Sequence, residues 1–233
     1  MSRLIKSLLL ILIAGLAGEG CLTRVQAQGT FQNLDFESTS LAPGDPPSTV
    51  PVSAGMPGWT VLIGTTTQST ILFNDTTLGT SSAAVLGRGN SLSPVIEGNF
   101  MAFLNPGVDN QGPADVSLSQ TGFVPTSANS ILFKARGGLA GFTVTLSGQA
   151  IAIVSLLTTT DYTLYGGDVS SIAGQSATLR ITALSDVPRG PNLLALDSIS
   201  FSPQPIPEPR IGVLLVCGLA LLSLRYWCSI RRT

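Results

Sequence analysis

Histidine is absent from all 233 residues, so any side-chain acid–base chemistry in this chain falls to its carboxylates. Losing the imidazole removes the commonest general base near neutral pH, the partner of a nucleophilic serine and the usual zinc ligand. Two positioned carboxylates still suffice for glycoside hydrolysis, and residues 28–203 hold eleven acids, from Asp35 to Asp197. Their spacing nominates no pair, so an enzyme is not expected and a glycan-active enzyme ranks last among the functional classes. Asp197 alone has a positional argument. In a regular strand it shares a face with Ile199 and Phe201, toward the core or its rim. A carboxylate there needs a cation or several donors. Trp59, after Pro57-Gly58, is one candidate for stacking on a sugar ring, and Tyr162 and Tyr165 are others. Each has an ordinary alternative. A tryptophan opening a strand is a core residue, and the two tyrosines have opposite parity, so at most one faces solvent.

The elements that must position these residues are short and alternate with period two. The segments run Phe31–Phe36, Trp59–Ile63, Ser69–Phe73, Ala83–Leu86, Asn99–Leu104, Val116–Gln120, Ser130–Ala135 and Phe142–Leu146. Ala150–Leu156, Tyr162–Tyr165, Ala177–Ala183 and Leu194–Phe201 complete the series. Asp45-Pro46-Pro47 and Met56-Pro57-Gly58 frame a loop. Asp109-Asn110-Gln111-Gly112 and Arg136-Gly137-Gly138 read as polar loop tips, and neither is a phosphate cradle because no helix start follows. Asn74-Asp75-Thr76 matches a glycosylation sequon. β-branched residues fill the polar faces and no amphipathic helix interrupts the series. Many short strands at this spacing predict an all-β sandwich or barrel.

The central region carries eleven acids against five bases, a net charge of −6 that the whole-chain value of −1 conceals. Such a surface repels phosphate backbones, so nucleic acid is excluded as a partner while neutral glycans and cations are favoured. All three cysteines, Cys21, Cys217 and Cys228, lie outside this region. No disulfide can brace it, so its core or a bound ion must.

Both ends read as addresses. Arg3 and Lys6 precede an apolar stretch, Leu8–Leu16, and Val25-Gln26-Ala27 offers the small residues of a signal-peptidase site, with cleavage expected after Ala27. Lipidation at Cys21 is the rival, disfavoured by the acid in Gly18-Glu19-Gly20. Residues 1–27 are thus the expected signal peptide and 28–203 the exported β-sandwich domain. At the other end Pro205-Ile206-Pro207-Glu208-Pro209-Arg210 cannot be helical. The uncharged run Ile211–Leu224 follows, then Arg225, Tyr226, Trp227 and the terminal pair Arg231-Arg232. A membrane-spanning helix needs about 20 residues, which residues 211–230 supply if Arg225 snorkels to the interface. The positive-inside rule then puts the bulk of the chain outside. A permanent anchor and a buried core helix are the alternatives.

Residues 204–233 resemble the PEP-CTERM sorting signal of Gram-negative bacteria: a Pro207-Glu208-Pro209 motif, an apolar helix and a basic stop of Arg225, Arg231 and Arg232. The resemblance implies an exosortase that reads the motif and removes the helix. It also implies a membrane-anchored precursor, and a mature protein at the cell surface, in the outer membrane or in an exopolysaccharide-rich extracellular matrix. The exported region resembles the galactose-binding-like jelly roll of carbohydrate-binding modules in five pieces: Asn33–Glu37, Pro57-Gly58-Trp59, Leu118–Gln120, Ile131–Arg136 and Leu196–Phe201. That fold family implies a structural calcium held by Glu37 and Asp197, although Ser198 stands where a second acid is usual. The expected alternatives for these acids are backbone amides or Arg180 around Asp197, and a turn capped by Glu37. The two resemblances lead to a non-catalytic surface or matrix protein. A carbohydrate-binding module with a defined glycan site, using Trp59 or Tyr165, is the alternative.

Overall fold

The computed structural model describes residues 29–77, 79–185 and 192–206. The signal peptide with Ala27, the motif Pro207-Glu208-Pro209, the helix 211–230 and Arg225, Arg231 and Arg232 all lie outside the described residues. Among those described, no helix is long and apolar enough to cross a membrane.

Among the described residues sixteen strands account for the architecture. In chain order they are β1 (Ser48–Pro51), β2 (Thr60–Ile63), β3 (Thr66–Gln68), β4 (Thr70–Phe73), β5 (Ser82–Gly87), β6 (Phe100–Asn105), β7 (Gly107–Asp109) and β8 (Gly112–Ala114). Then come β9 (Val116–Phe123), β10 (Ser130–Arg136), β11 (Phe142–Leu146), β12 (Gln149–Ala150), β13 (Ile153–Thr158), β14 (Thr163–Asp168), β15 (Ser176–Ala183) and β16 (Leu194–Ser202). One sheet has the order β1-β4-β5-β6-β16-β10-β14-β13 and the other β12-β11-β15-β9-β2-β3, with β7 and β8 forming a separate hairpin. Among the described strands the β4–β5 pairing is parallel and the others are antiparallel, apart from isolated parallel bridges at Thr30–Phe123 and Thr80–Val108.

The two large sheets close on one apolar cluster, which makes the fold an all-β sandwich. Period-two patterning builds it. Phe142, Val144 and Leu146 point inward from β11, and Ala177, Leu179, Ile181 and Ala183 from β15, with threonines and Arg180 between them facing out. Ring contacts bridge the layers: Phe142 of the six-stranded sheet lies 5.8 Å from Phe133 and 5.2 Å from Tyr165 of the other. The alternation is lost most completely in β5 and β6. Every residue of β5 and β6 is buried, because the core covers one face and the connection 88–99 covers the other, packing Val95 and Ile96 on Leu86, Met101 and Phe103. Strands covered on both faces read as continuous apolar runs.

The structure corrects three local expectations. Phe31–Phe36 is not a strand: Asn33 and Phe36 adopt φ +49° and +60°, and the segment turns beneath Trp59. The loop framed by the two proline clusters contains β1 and a single helical turn, Val52–Gly55. Ala150–Leu156 divides between β12 and β13, which belong to different sheets. Asn74 of the sequon is buried, donating to the Pro43 and Asp45 carbonyls at 3.0 and 2.9 Å, so it cannot accept a glycan in this fold.

Candidate functional site

Three carboxylates converge where β6 and β16 part. These strands pair only from Leu194↔Leu104 to Leu196↔Ala102, and the turn 33–38 then fills the gap, its Leu34 carbonyl accepting the Ile199 amide at 2.9 Å. A bulge marks the place. Between the pairs Leu132↔Ser200 and Lys134↔Asp197, β16 holds one residue more than β10, and Ser198 sits at φ +51°. The bulge reverses the expected parity. Leu196 and Ile199 enter the core, while Asp197 turns outward beneath residues 97–99. Asp197 therefore does not share a face with Ile199.

Each carboxylate has its own donors. Asp197, 1% exposed, accepts the Glu97 amide at 2.9 Å and the Ser198 amide at 2.7 Å. Glu37 accepts the Asn99 and Phe100 amides at 2.7 and 2.9 Å on a single oxygen. Glu97 binds Lys134 at 2.7 Å and accepts the Ser198 hydroxyl. Gly98 joins the three: at φ +59° it takes a conformation few residues tolerate, and a Cβ there would overlap the Glu37 carboxylate. Burial raises the Asp197 carboxyl to about 7, against the pull of its two amides and with the help of the Glu97 and Glu37 charges. Lys134 and Ser198 hold Glu97 below its usual range. Arg180 lies on the other sheet and is no partner of Asp197.

At Glu37 and Asp197 the structure shows carboxylates that accept backbone amides. Among the described residues no three acidic side chains are arranged to hold a metal, and the best-placed oxygens of Glu37 and Asp197 already accept amides. Calcium needs six to eight oxygens. Glu97, the third member, carried no sequence signal beyond its place in Glu97-Gly98-Asn99, since it meets Asp197 across 100 residues of chain.

Trp59 and Tyr165 are core residues, the reading their strand positions favoured over a sugar-stacking role. Trp59 is 5% exposed, stacks on Phe36 at 5.7 Å and donates its indole N–H to the Asn33 carbonyl at 2.9 Å. Tyr165 is 4% exposed, with its hydroxyl on the Gly137 carbonyl at 2.6 Å. Neither offers a face to a sugar. Tyr162 is half-buried and has Lys134 over its ring at 5.2 Å.

The outer face of the six-stranded sheet is the more distinctive surface. Strand register sets side chains in rows across it: Thr143, Thr182, Ser117, Leu62 and Thr67 in one, Thr145, Arg180, Ser119 and Thr60 in the next. Hydroxyls pair across strands, Ser117 with Thr182 at 3.0 Å and Thr121 with Thr178 at 2.7 Å. Arg180 is the single charge in these rows. A shallow depression at one end joins it to Asp115, which accepts the Ser185 amide and hydroxyl at 2.7 and 2.8 Å.

No protein-family model matches the chain, and no curated protein matches it. Among solved structures, the K1 cleaved adhesin domain of Lys-gingipain from Porphyromonas gingivalis W83 aligns over 68% of this chain and 98% of its own length, at 10% identity and a TM-score of 0.36.

Proposed function

We propose that the protein is a non-catalytic exported β-sandwich of the cell surface or extracellular matrix, sorted by an exosortase through its C-terminal tail and associated with exopolysaccharide. The observation that carries this reading is where the folded body ends. Strand β16 finishes at Ser202, and Pro203–Ile206 run along the outside of the eight-stranded sheet. The Pro207-Glu208-Pro209 motif follows Ile206 directly in sequence, after the last strand of the sandwich is complete, which supports a tail that is read separately from the core. The carboxylates support a non-catalytic role, because Glu37, Asp115 and Asp197 are engaged by backbone amides. The exposed threonines of the six-stranded sheet, Thr60, Thr67, Thr121 and Thr143, suit the exchangeable hydrogen bonds of a neutral polysaccharide. With Trp59 and Tyr165 buried, such contact is broad and weak, strengthened by many copies acting together.

The test is fractionation of the native host. The wild-type protein is expected outside the cell with the polysaccharide, shortened at both ends. Replacing Pro207, Glu208 and Pro209 with alanine should leave a longer precursor in the membrane. A motif variant that is shortened and released like wild type would sink the reading.

A further inference from the structure

The last described residues are fastened to the body. After β16 the chain crosses the outer face of the eight-stranded sheet, and successive carbonyls are caught. The Asn129 side chain donates to the Pro203 carbonyl at 2.6 Å, and the buried Ser130 hydroxyl donates to the Gln204 carbonyl at 2.7 Å. Two residues on, Ile206 lies over Gly166 of β14. A Cβ added there would stand 2.6 Å from the Ile206 Cδ1, 2.8 Å from the Leu156 Cδ1 and 2.9 Å from the Leu132 Cδ2. The missing side chain makes a seat, walled by Leu132 of β10 and Leu156 of β13, that Ile206 fills. These three aliphatics belong to neither buried cluster of the sandwich. Their contact exists because the chain exits along this path.

We propose that this seat is an intramolecular docking site that shields the residues just before the Pro207-Glu208-Pro209 motif, so that lifting of the strap Pro203–Ile206 gates processing. The inference rests on the sorting reading above and deepens it. A peptidase binds its substrate as an extended strand threaded through its active site, so a segment hydrogen-bonded to a folded body is cut from its opened form. The reaction breaks one amide bond and passes the acyl group to water or an amine, leaving a new amino terminus on the removed helix. The seat changes only how often the substrate is available. Ile206 contributes a half-buried aliphatic side chain, and removing that contact is expected to raise the open fraction about tenfold.

The experiment uses the full chain in its host, with Ile206→Ser, Ile206→Leu and Gly166→Val. Pulse-chase labelling follows conversion of precursor to mature protein, and brief digestion with an unspecific protease follows exposure of residues 203–206. Ile206→Ser should speed both by about tenfold, whereas Ile206→Leu refills the seat and should stay close to wild type. Gly166→Val should behave like Ile206→Ser, and because Ile206→Ser changes only the strap, misfolding of the glycine variant cannot decide the result. Unchanged or slower processing of Ile206→Ser beside normal wild-type processing overturns the gating alone. A wild-type tail that is never cut overturns the sorting reading, and the gating with it.

Discussion

Substituting Asp197 by asparagine tests the electrostatics of the bulge. The folded carboxyl is raised from 3.8 to about 7, chiefly by burial. Below about pH 4 the carboxyl is protonated whether the chain is folded or not, and it costs nothing. As pH rises, the unfolded chain ionises first while the folded chain keeps its proton, so stability falls until about pH 7 and is flat beyond. Each pH unit is worth about 1.4 kcal/mol, so the loss across the range approaches ~4 kcal/mol, a large part of the 5–15 kcal/mol of a typical domain. The absence of histidine leaves no other side chain with an ordinary value in that window. In Asp197→Asn the titration disappears, but the carboxamide NH2 must face the Glu97 or the Ser198 amide, costing about 1–3 kcal/mol. Urea unfolding followed by Trp59 fluorescence from pH 5 to 8 should give a falling wild-type curve and a flat variant curve. At pH 8 the variant should be the more stable by ~1–3 kcal/mol. Millimolar calcium should leave the wild-type slope in place, since a bound cation would keep Asp197 ionised and erase it. A wild-type curve that is level or rising, or a variant with the same slope, refutes the reasoning.

Other consequences follow from the same geometry. Glu37→Ala leaves the Asn99 and Phe100 amides without their acceptor and should cost about 1–3 kcal/mol in chemical denaturation, whereas Glu37→Gln, which keeps an acceptor oxygen, should cost clearly less. Gly98→Ala combines a positive φ with overlap on Glu37; a drop in midpoint temperature larger than that of an exposed loop Gly→Ala control is expected, and equality with the control would contradict it. Trp59→Ala should destabilise by about 3–5 kcal/mol without a specific effect on polysaccharide co-sedimentation of whatever folded protein remains. A stable Trp59→Ala protein that has lost polysaccharide binding would return Trp59 to the surface.

The sandwich is legible in the sequence wherever one face is buried and the other wet. Phe142–Leu146 reads as a strand and is one, with bounds unchanged, because Phe, Val and Leu alternate with threonine. The same threonines form the hydroxyl rows, but their alignment depends on register between strands far apart in the chain, which no local pattern specifies. Phe31–Phe36 has strand-like apolar spacing, yet Asn33 tolerates a left-handed turn and the Trp59 indole holds its carbonyl there. The site was half legible. Glu37 and Asp197 do meet one short connection, 97–100, but parity placed Asp197 wrongly because a bulge at a serine leaves no compositional mark. The burial of Trp59 and Tyr165 was the favoured reading from strand position alone, and the packing of Phe36, Phe133 and Phe142 around them agrees with it.

The most direct measurement is the intact mass of the native protein recovered from cell-surface, medium and cytosolic fractions. The account predicts a surface or extracellular species well below the 24.1 kDa of the whole chain, beginning at Gln28 and ending near Pro209, with the apolar helix gone. A single cytosolic species at the full mass, carrying both termini, would contradict it.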